Sequence, residues 1–181
     1  MSSLPTRIAV AGVSGSGKST LAKRISDRLG IPYVELDSLH HGPDWTSRPE
    51  FVADVRALVA RPAWVSELQY ATAKPLILER VDVIVWLDVP TPLTMYQVIR
   101  RTLVRRVRRT ELWNGNVEPP LRSIFTDPDH VVLWAWKTRN RLRGELPDQV
   151  AAHPGVKLIR VRSHRAARRW LASMTKASAV G

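Results

Sequence analysis

The chain has 181 residues, 44% of them apolar and 24% charged, a mix that excludes a disordered or collagen-like polymer and suits one domain with a full core. It has no cysteine, so disulfides, thiolate catalysis and cysteine metal sites are excluded. Its 28 Lys and Arg against 16 Asp and Glu leave a net +12, which favours an anionic partner such as a nucleotide or nucleic acid.

Ile8-Ala9-Val10-Ala11 reads as a buried strand, and Gly12 to Gly17 as a glycine loop. From Lys18 the spacing predicts a helix with Leu21, Ile25 and Leu29 on one side, stopped by Gly30 and Pro32. Tyr33-Val34-Glu35-Leu36 reads as a second strand ending at Asp37. After a loop, Pro49 opens a helix that carries Phe51, Val52, Val55, Leu58 and Val59. Ala63 to Ser66 forms a third strand leading to Glu67, a short helix covers Lys74 to Arg80, and Val81 to Val89 is the fourth and most apolar strand. Its longest unbroken apolar run, Val83 to Leu87, is far too short to span a membrane. The start, Met1 to Pro5, has no charged-then-apolar leader, so a cytoplasmic address and no membrane partner are expected.

Pro90 and Pro92 turn the chain into a long helix whose buried track is expected to be Met95, Ile99, Leu103 and Val107. Arg100, Arg101, Arg105, Arg106, Arg108 and Arg109 crowd its other faces. Asp127-Pro128 is expected to cap a helix that holds Trp134 and Trp136 and ends in Arg139, Arg141 and Arg143. Val156 to Val161 is a fifth strand, and Ser163 caps a last helix with Ala166, Ala167, Trp170 and Leu171. Residues 1–176 are expected to form a single domain, and the tail 177–181 to fray. Strands alternating with helices call for a parallel sheet covered on both faces, with ligands beyond the carboxyl ends of the strands.

Gly12-Val13-Ser14-Gly15-Ser16-Gly17-Lys18-Ser19 matches G-x-x-x-x-G-K-[ST] in spacing, between a strand and a helix. The glycines let consecutive N–H groups turn toward phosphate oxygens, and the helix aims its positive end at the same place. Lys18 reaches the β- and γ-phosphates, Ser19 offers a hydroxyl to Mg²⁺, and Thr20 is placed at the α-phosphate. The nucleotide-binding set is therefore Gly12, Ser14, Gly15, Ser16, Gly17, Lys18, Ser19 and Thr20.

The Gly12–Thr20 loop, the Leu36-Asp37 strand end and Val85-Trp86-Leu87-Asp88-Val89-Pro90 before an Arg-rich helix resemble the adenylate-kinase-like P-loop kinases. More narrowly, the Arg100–Arg109 cluster, Glu111 to Asn116 and the ending Leu158 to Ser163 are similar to the bacterial branch named DNA topology modulation protein, related to FlaR. The resemblance runs over nearly the whole chain. It implies an α/β P-loop NTPase three-layer sandwich: five parallel strands in the order 2-3-1-4-5, helices on both faces, and a small mobile lid at about 110–126. It also implies ATP or GTP with Mg²⁺, and phosphoryl transfer to a small acceptor, a nucleotide or a hydroxyl metabolite. One stretch departs from the pattern. Relatives read Trp-Val-x-Asp-Gly-Asn-Tyr where this chain has Trp64-Val65-Ser66-Glu67-Leu68-Gln69-Tyr70, a change expected to reshape the acceptor pocket.

Phosphoryl transfer asks the protein mainly for positioning and charge neutralisation. Asp37 and Glu67, at strand ends, are the candidate acceptor-side carboxylates. Glu67 is also placed to hold Mg²⁺ with Ser19, directly or through water. Arg105 and Arg109 are the candidates for neutralising transferred charge, with Arg139 and Arg143 opposite them. The candidate catalytic set is Lys18, Asp37, Glu67, Arg105 and Arg109. Asp88 is expected to serve its turn, Trp45 and Trp113 are the tryptophans expected in loops, and Tyr70 either meets the acceptor or packs. The competing reading is a regulatory or DNA-associated nucleotide-binding protein with weak NTPase activity, whose arginines grip nucleic acid.

Overall fold

A computed structural model of the chain describes residues 4–108, 111–116 and 130–174. At its centre lies strand β1 (Arg7–Ala11), flanked by β2 (Trp64–Glu67) on one side and β3 (Val83–Leu87) on the other. β4 (Lys157–Val161) pairs with the far side of β3. All three pairings are parallel, and the described sheet has four strands in the order β2-β1-β3-β4. The register sets Val10 opposite Glu67 on one side and Val85 on the other.

The two-residue period of the strands divides the core into two layers. Ala9, Ala11, Ile84 and Trp86 point to one face, where α3 (Phe51–Val59), α4 (Lys74–Leu78) and α7 (Arg141–Ala151) bury Val55, Leu58, Ile77 and Leu146. Ile8, Val10, Val83, Val85 and Leu87 point to the other, against Leu21, Ala22 and Ile25 of α1 (Lys18–Leu29) and Ala167 of α8 (His164–Ser173). Gly30, at φ +70°, ends α1 where the sequence marks its stop. Ser163 caps α8 as expected, its hydroxyl accepting from the Ala166 N–H at 3.1 Å.

Three expectations need correction. The anticipated strand at 33–36 is a single parallel bridge, Tyr33 to Val65. The Val34 N–H reaches the Val65 carbonyl and the Val65 N–H reaches that of Pro32, but the ladder stops there. Ser38 takes the Glu35 carbonyl through both its N–H and its hydroxyl, and the chain coils into α2 (Leu36–His40). Among the described residues the sheet therefore has four strands, and the bridge occupies the place of the fifth.

The long helix α5 (Thr91–Arg108) buries Thr94, Val98 and Thr102, not the expected track. Ile99, Leu103 and Val107 are exposed, Val107 to 82%. Close approach decides the face. A Cβ on Gly15 would run into Val98 and lie 2.5 Å from the Thr94 carbonyl. Only a face of small or β-branched side chains lets α5 come so near the glycine loop.

The helix with Trp134 and Trp136 is α6 (Val131–Thr138), and it ends before the arginines. Arg139 bonds back to the Trp136 carbonyl, and Asn140 begins α7, which carries Arg141 and Arg143. His130 caps α6 by accepting from the Val132 N–H. Both tryptophans are about half exposed. The expected cap at Asp127-Pro128, Arg109, the tail 177–181 and all of the candidate lid except 111–116 lie outside the described residues.

Candidate active site

The glycine loop leaves the carboxyl end of β1 and turns into α1. Gly15 (φ +75°) and Gly17 (φ +90°) take the left-handed conformations that L side chains resist. A side chain at Gly12 would meet the Ser16 hydroxyl. The Ser16 N–H closes the turn on the Val13 carbonyl at 3.1 Å, and Ser16 itself is fully buried with its hydroxyl unpartnered among the described residues. From the far end of the sheet, His164 donates through Nε2 to the Ser16 carbonyl at 2.7 Å. Thus the first turn of α8 props the loop.

Glu67 stands at the end of β2, next to that loop, with no exposed surface. The Tyr33 hydroxyl donates to its Oε1 at 3.2 Å. Its Oε2 is buried and has no partner of normal hydrogen-bond geometry among the described residues. Burial pushes the Glu67 carboxyl above the usual range; the Lys18 ammonium and the Ser19 hydroxyl oppose the shift, while Asp37 and Glu35 add to it. Burial and then the charge of Glu67 likewise raise the Tyr33 phenol.

Asp37 enters the site from the first turn of α2. Its Oδ1 accepts from Gln69 Nε2 and from the Tyr70 hydroxyl, both at 2.6 Å. Tyr70 holds this position with φ +62°, a left-handed conformation rare for a bulky residue and the kind of strain that gathers at working sites. Its phenol is pushed up, first by burial and then by Asp37. His40 stacks on the Tyr70 ring at 4.1 Å, and burial lowers the pKa of its imidazole.

A second wall comes from residues 111–116. Trp113 donates through Nε1 to Glu35 Oε2 at 3.0 Å, stacks on His41 at 5.8 Å and meets Trp45 edge-on at 6.3 Å. Asn116 receives the Trp45 N–H at 3.0 Å and donates to the Gly42 carbonyl at 2.8 Å. Asn114 donates to the His41 carbonyl.

The structure thus brings together Lys18, Ser19, Glu67 and Asp37, with Asp37 arriving from α2 and not from the expected strand end. It also joins the two loop tryptophans, Trp45 and Trp113. Arg105 lies near the end of α5, half-buried. Arg143 is not free for a phosphate: with Arg160 it grips Asp88, at 2.9 and 2.5 Å. Asp88 is therefore a structural clamp. Arg139 lies over the Trp136 ring at 4.0 Å. Tyr33, Glu35, Gln69 and His164 were missed. His164 had a signal, since it follows the carboxyl end of the last strand, where ligands gather in this architecture.

The residues present fit a nucleotide with a divalent metal. The loop offers a backbone cradle that a Cβ at Gly12 would crowd, and Glu67 Oε2 is an orphaned anionic oxygen beside Lys18 and Ser19. The architecture has solved counterparts. A gluconokinase from Sinorhizobium meliloti superposes with a TM-score of 0.52 at 19% identity, covering 93% of this chain and 92% of the other. Shikimate kinase from Acinetobacter baumannii, in complex with shikimate, gives 0.50 at 17% identity, over 92% and 89%. These likenesses define the fold as that of the P-loop kinases, α/β with a parallel sheet.

In sequence the chain is 30% identical to a shikimate kinase of Synechococcus elongatus over 99 residues, 46% of this chain and 52% of that protein. It spans about half the length of the shikimate kinases it matches. No protein-family model matches it. No described helix is long and apolar enough to cross a membrane.

Proposed function

We propose that the chain is a P-loop kinase, acting as one unit over residues 1–176, that transfers the γ-phosphoryl group of a nucleoside triphosphate to a hydroxyl of a small acceptor. The observation that carries this reading is the buried, orphaned Glu67 Oε2, next to Lys18 and Ser19 at the mouth of a complete phosphate loop. Sequence relatives of parts of the chain are kinases of small molecules, which supports the same reading. A triphosphate, ATP or GTP, with Mg²⁺ supplies the electrophilic phosphorus and the leaving group.

The chain's own residues then divide the work. The N–H groups of Gly12 to Thr20 cradle the phosphates, and Lys18 holds the β- and γ-oxygens. Ser19 and Glu67 hold the metal or its water. Asp37, with Oδ1 fixed by Gln69 and Tyr70 and no bond to Oδ2 among the described residues, orients the acceptor hydroxyl and takes its proton. Arg105 and Arg109 neutralise charge as the lid at about 110–126 closes. The narrower kinship, with the branch named for DNA topology modulation, and a cytoplasmic address belong to the same proposal.

The test is phosphoryl transfer from ATP·Mg²⁺ across a panel of nucleosides, nucleoside monophosphates, sugars and other small hydroxyl compounds. One acceptor should turn over far above background, and Lys18→Ala should cut that rate by about 100-fold or more. Triphosphate binding without transfer to any acceptor, together with DNA binding that weakens steeply with salt, would replace this reading with the regulatory one.

A further inference from the structure

The acceptor side of the phosphate loop is acidic and aromatic at once. Glu35, Asp37 and Glu67 lie close enough that the first two raise the pKa of the third. Each carboxylate is held by a neutral donor: Glu35 by Trp113, Asp37 by Gln69 and Tyr70, Glu67 by Tyr33. None of the three is ion-paired with Lys or Arg among the described residues.

Two basic side chains near these carboxylates, Arg48 and Lys74, pair elsewhere. Arg48 pairs with Asp54 at 3.1 Å and donates to the Leu39 carbonyl, and Lys74 pairs with Glu145 at 3.6 Å. Lys18 is the phosphate-loop lysine. Of the three carboxylates, Glu67 is the fully buried one, and its Oε2 lacks a partner among the described residues. Beside Glu35 stands Trp113, packed with His41 and Trp45 as half-buried rings held in place by the Asn114 and Asn116 bonds to the 41–45 loop.

We infer that the acceptor is a neutral or cationic ring compound rich in hydroxyls, of the sugar or nucleoside class, and that a phosphate or carboxylate on it is selected against. The inference deepens the kinase reading and rests on it. Ionised carboxylates only accept hydrogen bonds, so their natural partners are hydroxyl and ammonium donors. An anion would meet like charge from three carboxylates that no Lys or Arg pairs with among the described residues, and the site would reject it by repulsion. The aromatic corner supplies an apolar face for the flat or C–H side of a ring. Trp113 is a positioning residue as well, since it holds Glu35 by its indole N–H.

The experiment compares matched pairs in steady-state transfer: adenosine against adenosine 3′-monophosphate, and glucose against glucose 1-phosphate, each keeping its ring and primary hydroxyl, with glucosamine as a cationic member. Any better acceptor from the wider panel is run against its own carboxylated or phosphorylated analogue. The uncharged member of the productive pair should have a kcat/KM about 100-fold or more above its anionic partner. Glu35→Gln keeps an oxygen for Trp113 and removes the charge. It should narrow that ratio about tenfold or more through a lower KM for the anion. Calorimetric titration of the pairs into the full chain should follow the same order.

Preference for the anionic member, or a ratio unmoved by Glu35→Gln, overturns the inference while leaving the kinase reading intact. Absence of transfer to every compound overturns both.

Discussion

Burying a carboxylate without a cation is unfavourable, and Glu67 carries that cost at the floor of the site. Its pKa is raised above the ordinary value of about 4.3 that the unfolded chain retains. Between those two values the native state keeps a proton that the unfolded state has lost, so stability falls as pH rises through the window. Above both, the penalty is fully present. Glu67→Gln should therefore raise the Tm of the nucleotide-free protein by roughly 2–4 °C at pH 8 and leave it nearly unchanged at pH 4. The same substitution should lower turnover by about 100-fold while weakening triphosphate binding much less. Thermal melts at the two pH values and single-substrate kinetics check both arms. A Tm lowered at pH 8 would show that Glu67 is held by attraction to Lys18 rather than trapped by burial.

At the scale of elements, Asp88 ties α7 to β4 by accepting from Arg143 and Arg160. Burial alone would raise its pKa; the bonds from Arg160 and Arg143 outweigh that and hold it below the usual range. The stability it lends is present above the unfolded pKa of about 3.9 and is lost as pH falls through the lower native value. Asp88→Asn should cost about 1–2 kcal/mol at pH 7, a drop of roughly 2–8 °C in Tm, and the gap to wild type should close near pH 2. Helix α5 teaches a different lesson. Its strongest apolar repeat, Ile99-Leu103-Val107, faces outward, because the buried side had to be narrow enough to pass under Gly15. Periodicity reports where apolar residues align, but not which face a neighbouring backbone can tolerate. The lost strand at 33–36 also has a local cause: the Ser66 hydroxyl takes the Val34 carbonyl that the ladder would use next, and Ser38 bonds the Glu35 carbonyl as the chain coils into α2.

Across the whole molecule, the motif and four of the five expected strands were legible in the sequence, because each follows from short-range spacing. Lys18, Ser19 and Glu67 could be assigned to one site because parallel strands deliver their carboxyl ends together. The aromatic wall was not legible as a unit. Trp45 and Trp113 are far apart in the chain, and their meeting depends on Asn114 and Asn116 bonding a distant loop. Nucleotide binding should stabilise this assembly as one. At a free ATP·Mg²⁺ concentration of about 100 Kd, the gain is about 2.7 kcal/mol, or roughly 5–10 °C in Tm, and Lys18→Ala should abolish it. A shift retained in that variant would place the nucleotide elsewhere.

The bond from His164 to the Ser16 carbonyl spans 148 positions of the chain. During synthesis the glycine loop is therefore made long before its prop exists. At about 5–20 residues per second, that interval lasts roughly 7–30 s. A nascent chain can form β1 and its loop early, yet the loop gains this hydrogen bond only once α8 has been made and docked. The residues of the acidic and aromatic wall, at 35–45, 67–70 and 113–116, are all made before that prop.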